Sequence, residues 1–136
     1  MKSSETPKWF LDALAHKPDI KSVKIKGSKI SYNCWGEKNK PGLIFVHGGM
    51  AHADWWNFIT PYFLKTHRVI AMNLGGMGDS EWRKEYSTET WGLEIEGVCK
   101  KEKLKKPIII GHSLGGMCGV YAASIMKKNL YGLVIV

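Results

Sequence analysis

The chain has 136 residues, of which 44% are hydrophobic and 24% charged, a balance typical of one globular domain and not of a disordered protein. The net charge is +8, but no basic motif with interleaved aromatic residues is present, so we expect no nucleic-acid partner. No apolar run approaches the roughly 20 residues of a membrane span. The three cysteines include no CxxC pair, which argues against a disulfide framework and favours a cytoplasmic location.

The first third of the chain predicts a short helix and a hairpin before a buried strand. Apolar residues at helical spacing in Lys8–His16 indicate an amphipathic helix. Alternation in Val23–Lys26 and Lys29–Cys34, around Gly27-Ser28, predicts an antiparallel hairpin. Leu43–Val46 is uniformly apolar and is followed by glycines, as in a strand buried on both faces of a sheet.

From there the predicted helices and strands alternate. The expected elements are a helix from Ala53 to about Lys65 that Pro61 could divide, a strand at Val69–Met72, a helix from about Thr88 to Leu104 with Ser87 or Thr88 as its N-cap, a strand at Pro107–Ile110, a helix at Leu114–Lys128 and a strand from Leu133. This alternation, with nearly continuous apolar strands, predicts an α/β three-layer αβα sandwich with a mostly parallel sheet.

Much of the positive charge falls in one run, Lys100, Lys101, Lys103, Lys105 and Lys106. We interpret this run as the solvated end of a helix, because basic charge alone indicates solubility and weak non-specific attraction. Glu94, Glu96 and Glu102 lie on the same helix and are predicted to belong to a solvated charged face.

The strongest chemical signal is Gly111-His112-Ser113-Leu114-Gly115, a G-x-S-x-G between a predicted strand and a predicted helix. A strand that turns sharply into a helix strains its corner residue, and only glycine tolerates the crowding on either side. Such a turn, called the elbow below, lifts the Ser113 hydroxyl above the sheet, where the Leu114 amide and the helix dipole can stabilise an oxyanion. The alternative is a flexible turn with a serine helix cap.

A second glycine signal, His47-Gly48-Gly49, follows the predicted strand Leu43–Val46 and is called the glycine loop below. Adjacent glycines leave backbone N–H groups uncovered, so that a substrate can approach them closely. Serine acyl transfer needs two oxyanion donors, one of them from such a loop. Gly49 is therefore the predicted second donor and Met50 the next choice, with a plain glycine turn as the alternative.

In order and approximate spacing these segments resemble the α/β-hydrolase superfamily, and especially its bacterial esterase-type members. The Asn73–Ser80 turn is similar to the family's D-x-x-G-x-G-x-S, with Asn73 in place of an aspartate that is generally structural. The Trp55-Trp56 pair also looks family-like and is predicted to pack on the sheet more than to contact substrate. The resemblance covers nearly the whole chain. It implies that residues 1–136 are the N-terminal part of one catalytic domain, without its cap and C-terminal part.

The resemblance implies a serine hydrolase that acts on carboxylic esters or related acyl substrates through an acyl-enzyme at Ser113, without a cofactor. Its small-molecule substrate would be held by the Gly49 and Leu114 amides. Members that hydrolyse epoxides or haloalkanes have aspartate at the elbow, which disfavours those branches here. No cluster of His, Cys, Asp and Glu has metal-ligand spacing, so no metal is expected.

The triad acid and histidine follow the serine in the family, but no acidic residue and no histidine follows Ser113 here. Among the upstream histidines, His112 adjoins the nucleophile, His47 belongs to the glycine loop and His52 has no obvious orienting acid. His67 and His16 are predicted to lie away from the site. We therefore expect this chain alone to be inactive. A non-catalytic α/β-hydrolase-fold protein that binds a small ligand above the elbow is the second hypothesis.

Overall fold

The computed structural model describes residues 6–136, which form a six-stranded sheet with helices on both of its faces. The strands are β1 (Asp19–Ile25), β2 (Ser28–Trp35), β3 (Gly42–Val46), β4 (Arg68–Met72), β5 (Ile108–Gly111) and β6 (Gly132–Ile135). The α-helices are α1 (Lys8–Leu14), α2 (Thr88–Lys101) and α3 (Leu114–Met126), and shorter 3-10 turns cover Ala53–Trp56, Thr60–Phe63 and Lys127–Asn129.

The strand order is β1-β2-β4-β3-β5-β6. The pairings β1/β2 and β2/β4 are antiparallel, and the remaining three are parallel. The central strand β3 places Ile44 opposite Ile70 of β4 and Ile109 of β5. The predicted parallel sheet with an antiparallel lead-in is confirmed, and β6 forms one edge of the sheet in the described part of the chain.

The hairpin of β1 and β2 turns one residue earlier than predicted. Its central residues are Lys26 and Gly27, with φ of 50° and 84°, and Ile25 pairs with Ser28 across the turn. Positive φ at both central residues is the requirement of a tight type I′ turn, whose twist matches that of the flanking strands.

Alternate residues of the central strands enter two separate cores. Ile44, Ile70 and Ile109 pack in the core that α2 and α3 cover. Leu43 and Phe45 point to the opposite face, which is covered by the segment between β3 and β4. The predicted three-layer αβα arrangement is therefore confirmed. No helix in residues 6–136 is long and apolar enough to cross a membrane.

The segment between β3 and β4 differs from the prediction. The single helix expected over residues 53–65 is replaced by the 3-10 turns Ala53–Trp56 and Thr60–Phe63. Pro61, at the start of the second turn, has no amide to bond back to the preceding residues. The amide of Ala53 is held by the Asn73 side-chain oxygen at 2.7 Å, a contact that fixes the start of the first turn.

Helix α2 begins as predicted, because the Ser87 hydroxyl accepts a hydrogen bond from the Thr90 amide at 3.1 Å. The prediction of a solvated acidic face is wrong for two of its three members. Glu94 is fully buried, and the side chain of Glu102, at the end of the helix, is only 6% exposed. Glu96 alone forms an ordinary helical pair, 2.8 Å from Lys100.

Each of the two buried carboxylates has an arginine partner from a distant segment. Glu94 accepts a hydrogen bond from Arg83 Nε at 2.9 Å, and Glu102 accepts one from Arg68 Nη2, also at 2.9 Å. Burial of an acidic side chain becomes tolerable when its charge is paired and hydrogen-bonded in this way.

Candidate active site

Ser113 lies at the junction of β5 and α3, where the chain turns from strand into helix. Its φ of 49° and ψ of −115° place it in a region that non-glycine residues rarely occupy. Its side chain is exposed. Its amide donates to the Val136 carbonyl at 2.9 Å, so the corner is tied to the end of β6. Strain of this kind persists only where the surrounding structure holds it, and it is common at functional sites.

The two flanking glycines are required by close backbone approach. A Cβ on Gly111 would lie 2.5 Å from the Gly115 carbonyl oxygen. A Cβ on Gly115 would meet the Val46 carbonyl in β3 and would lie 2.6 Å from the carbonyl oxygen of His47. The steric cause predicted for the G-x-S-x-G spacing is therefore present in the structure.

A comparison of two serines separates this corner from a helix cap. Ser87, which caps α2, has an extended backbone with φ of −149° and accepts a bond from an amide of the first turn. That is the geometry of an N-cap. Ser113 precedes α3 in the same way but has positive φ and makes no side-chain cap hydrogen bond. The helix-cap interpretation of Ser113 is thus wrong.

The two segments that carry the predicted oxyanion donors lie next to each other. A Cβ on Gly49 would be 3.9 Å from Leu114 Cδ2, so the glycine loop and the elbow are in contact range. Within residues 6–136, the amides of Gly49 and Leu114 donate to no protein acceptor, and the same is true of the Met50 amide. Met50 has φ of 58° and is fully exposed. Within the described residues these N–H groups are thus free of protein hydrogen bonds, and their role as oxyanion donors stays a prediction.

His47 is completely buried and holds the His47-Gly48-Gly49 loop in place through hydrogen bonds. Its Nδ1–H donates to the Gly48 carbonyl at 2.7 Å, and its Nε2 accepts from the Leu74 amide at 3.1 Å. Burial lowers the pKa of His47, although the bond to Gly48 opposes that shift. With both nitrogens engaged, the neutral imidazole joins the glycine loop to the segment after β4 and is not positioned as a base.

The asparagine that departs from the family's usual aspartate has a structural role. Asn73 is buried, and its side-chain oxygen accepts the Ala53 amide that begins the first 3-10 turn. Its carbonyl accepts the Ser80 hydroxyl at 2.7 Å, and Ser80 in turn accepts the Ser31 amide at 2.9 Å. The side-chain contact with Ala53 needs only an acceptor oxygen, which an amide supplies as well as a carboxylate.

Sequence reasoning missed the group that holds the next part of this turn. Glu94 accepts the Gly75 amide at 2.7 Å in addition to the bond from Arg83. Arg83 also donates to the carbonyls of Lys26 and Ile25, at 2.8 and 2.6 Å. Burial raises the pKa of Glu94, against the effect of its hydrogen bonds to Gly75 and Arg83. The glycine turn after β4 is therefore fastened to α2 and to the hairpin.

The two adjacent tryptophans have different environments. Trp56 is buried, with its ring centroid 4.9 Å from that of Phe45, as predicted for packing on the sheet. Trp55 is 56% exposed and stacks on His112, with centroids 6.2 Å apart and an interplanar angle of 19°. The packing prediction holds for Trp56, whereas Trp55 covers the residue that precedes Ser113.

An acid near His52 was also missed. His52 Nδ1 is 3.8 Å from the Asp54 carboxylate, which in turn accepts the Asn33 amide group at 2.8 Å. The distance from His52 exceeds that of a hydrogen bond, and both side chains of the pair are more than half exposed. Among the described residues there is no group of three or more His, Cys, Asp and Glu side chains that could hold a metal ion.

The family model of the α/β hydrolase fold matches residues 41–136. The chain therefore belongs to the α/β hydrolase fold family, in agreement with the elbow, the glycine loop and the sheet order described above.

Named relatives fall in several hydrolase groups. The chain is 25% identical over 117 residues to epoxide hydrolase 4 of Homo sapiens, a match that covers 84% of this chain and 32% of that protein. It is 27% identical over 115 residues to esterase Rv0045c of Mycobacterium tuberculosis, covering 83% and 38%. The chain thus spans 32% and 38% of the length of these two relatives.

Among solved structures, the thioesterase domain from the curacin biosynthetic pathway superposes with a TM-score of 0.77 at 26% identity. The match covers 88% of this chain and 46% of that one. The described residues therefore form the part of the α/β hydrolase fold that contains the elbow.

Proposed function

We propose that the protein is a serine hydrolase that acts on carboxylic esters or related acyl substrates through an acyl-enzyme at Ser113. The observation that carries the proposal is the geometry of Ser113, an exposed serine with φ of 49° at the strand–helix junction and no cap hydrogen bond. An exposed serine in this costly conformation, whose side chain makes no cap hydrogen bond and which lies at a strand–helix junction, supports a role in chemistry.

In the proposed reaction, Ser113 Oγ attacks the substrate carbonyl carbon while a general base takes the hydroxyl proton. The N–H groups of Gly49 and Leu114 would donate to the oxyanion that forms. Collapse of the tetrahedral intermediate breaks the bond to the leaving group, which receives the proton from the base. Water then hydrolyses the acyl-serine ester by the same steps and regenerates the hydroxyl.

The base in this proposal is not one of the histidines of this chain. His47 uses both ring nitrogens in buried hydrogen bonds, and His112 stacks on Trp55. The family order places the acid and the histidine after the serine, so these groups would come from residues outside positions 1–136.

Acyl substrates are favoured over epoxides by the nucleophile itself. The resemblance implies aspartate at the elbow of epoxide-hydrolysing members, where this chain has Ser113. Relatives named as an esterase and a thioesterase support the same choice, because both names denote cleavage of an acyl bond.

The test is labelling by an alkyl fluorophosphonate, followed by peptide mapping. We expect slow modification of Ser113 that disappears in Ser113→Ala. Ser124 is the matched control, because it lies on α3, is exposed, and donates to the Tyr121 carbonyl at 2.7 Å. Ser124→Ala should label like the unchanged chain. Modification of Ser124 or Ser80 instead of Ser113 would contradict the proposal. No labelling, combined with retained binding of a small ligand, would favour a non-catalytic binding protein.

Turnover of p-nitrophenyl acetate tests the assignment of the base. The chain alone should hydrolyse this ester only slightly faster than its Ser113→Ala form, since a serine without a base is a weak nucleophile near neutral pH. Rapid turnover that depends on Ser113 and is lost in His52→Gln would instead assign the base to His52 and its neighbour Asp54.

A further inference from the structure

The end of the sheet opposite Ser113 carries most of the positive charge of the chain. The parallel strands β3, β4, β5 and β6 begin at this end, so the connections that precede them meet there. The lysines that these connections and their neighbours contribute, called the basic end below, are Lys21, Lys38, Lys40, Lys65, Lys100, Lys101, Lys103, Lys105, Lys106, Lys127 and Lys128.

Few acidic residues offset this charge. Glu37 and Glu96 pair with Lys40 and Lys100, at 2.9 and 2.8 Å. Glu102 is shared between Lys21, at 3.2 Å, and the buried Arg68, which adds a further positive charge. Lysines 101, 103, 105 and 106 are exposed and form no ion pair within residues 6–136. The run predicted to be the solvated end of a helix is exposed at the end of α2, as expected, and lysines from several other segments lie at the same end of the sheet.

Two clefts among these lysines are lined in part by apolar residues. The first has a volume of about 340 Å³, and its lining includes Leu104 and Met126 beside several lysines and Glu96. The second, of about 460 Å³, shares Lys106 and is lined by Ile108 and Tyr131. Tyr131 is 78% exposed. The surface thus combines unpaired positive charge with partly apolar clefts and an exposed aromatic ring.

We propose that the basic end docks on an anionic lipid surface, with lipid phosphates at the lysines and Tyr131 at the level of the headgroups. Lysines attract a negatively charged leaflet, and aromatic rings with one polar end favour the interface between lipid and water. Acyl chains or glycerol groups fit partly apolar clefts ringed by lysine, whereas single-stranded nucleic acid requires a series of stacking aromatic residues. Docking in this way leaves Ser113 on the side that faces away from the lipid.

The test is co-sedimentation of the chain with phosphatidylcholine vesicles that contain or lack phosphatidylserine. A spin of the protein without vesicles corrects for self-association. We expect binding only to the vesicles with phosphatidylserine, and its loss at about 1 M salt, where charges are screened beyond ~3 Å. Neutral vesicles that bind equally well would overturn the proposal.

Substitutions locate the surface. The triple variant Lys103→Gln, Lys105→Gln, Lys106→Gln should weaken binding to anionic vesicles by about 100-fold, since each lysine near the surface contributes about five-fold. The matched control Lys24→Gln, Lys26→Gln, Lys29→Gln removes the same charge from the hairpin at the opposite end, where all three lysines are exposed. It should weaken binding clearly less than the first triple variant does, because these lysines lie on the hairpin and not on the connections that precede β3, β4, β5 and β6.

A third variant tests the apolar part of the surface. Tyr131→Ser leaves the charge unchanged and should weaken vesicle binding, while leaving the unfolding midpoint of the chain the same. Equal losses in the two triple variants would mean that net charge alone drives binding, and would overturn the assignment of the surface. Tighter binding to duplex RNA than to anionic vesicles would replace the lipid with a nucleic acid.

Discussion

At the end of the sheet that carries Ser113, close backbone contacts determine the geometry, whereas at the opposite end charged side chains do. The elbow depends on the φ of Ser113 and on glycines that touch β3. The opposite end depends on Glu102, whose oxygens accept hydrogen bonds from Arg68 and from the Tyr32 hydroxyl, each at 2.9 Å.

The difference predicts how each end responds to change. Steric contacts between backbone atoms are independent of salt and of pH. The buried His47 side chain is the one group at the Ser113 end for which we expect a pH dependence. Charged contacts lose strength when ions screen them or when a partner is removed. Substitutions at the two ends should therefore lower the free energy of unfolding for different physical reasons, which stability measurements at different salt concentrations can distinguish.

The largest effect is expected for Glu102→Ala. This change leaves the Arg68 guanidinium, which is 4% exposed, without its carboxylate, and an unpaired buried charge costs about 3–5 kcal/mol of unfolding free energy. Urea denaturation measures the loss. Glu96→Ala is the control, because it removes a surface pair on the same helix and should cost only about 0.5 kcal/mol. Similar losses in the two variants would mean that Glu102 has no special part at this end.

The next effect is expected at the elbow, for Gly115→Ala. The added methyl group would meet the Val46 carbonyl and lie 2.6 Å from that of His47, and overpacking of this kind costs about 1–3 kcal/mol. Because the clash is steric, the loss should be the same at low and at high salt. Gly132→Ala adds the same methyl group in β6 with nothing within 4 Å. If Gly132→Ala also lowered the free energy of unfolding by more than about 0.5 kcal/mol, the loss in Gly115→Ala would be explained by the replacement of glycine as such and not by the clash.

A smaller effect should appear with pH. Burial lowers the pKa of His47, so the unfolded chain binds a proton at this histidine more readily than the folded chain. The contribution of neutral His47 to stability is therefore complete above its ordinary pKa of about 6.5 and is lost as the pH falls below that value. Unfolding free energies between pH 7.5 and 5.5 measure the slope. His47→Gln should reduce this slope, because it removes the buried imidazole.

The smallest effect is expected for Gly49→Ala. A methyl group at this position would lie 3.9 Å from Leu114, and alanine keeps the amide that is proposed to hold the oxyanion. Stability should rise by up to about 0.5 kcal/mol, and fluorophosphonate labelling of Ser113 should persist. At Gly48 the same change would place a methyl group 2.7 Å from His112 Nδ1, so Gly48→Ala should be the less stable of the two. Loss of labelling in Gly49→Ala would mean that glycine itself is needed there.

The features that the sequence predicts well are those whose causes lie close together in the chain. The elbow needs Gly111, Ser113 and Gly115, which fall within five residues, and the alternating apolar strands predict the sheet and its layers. The sequence predicts one helix where the structure has two 3-10 turns. The first turn begins with a hydrogen bond between Ala53 and Asn73, which are 20 positions apart, so a local sequence pattern does not reveal it.

The buried acids were missed for a related reason. Their spacing among lysines is typical of a solvated helix, and only the fold brings Arg83 to Glu94 and Arg68 to Glu102. The basic end was likewise visible only in part, as a run near Lys103, because the crossovers of the sheet bring the other lysines to it. The pair of His52 and Asp54, by contrast, is only two residues apart and could have been found from the sequence.

The hydrogen bond from the Ser113 amide to the Val136 carbonyl, at 2.9 Å, connects the corner of the elbow to β6, which within residues 6–136 has a neighbour on one side only. Strands at a sheet border open more often than central strands, and amide hydrogen exchange counts such openings. Exchange at this one amide would therefore report the fraction of time during which the corner is closed. If Ser113 is the nucleophile, as proposed, the closed fraction is also the fraction of molecules in which the serine is positioned to react. Any contact that holds β6 in place would then raise that fraction without touching the serine itself.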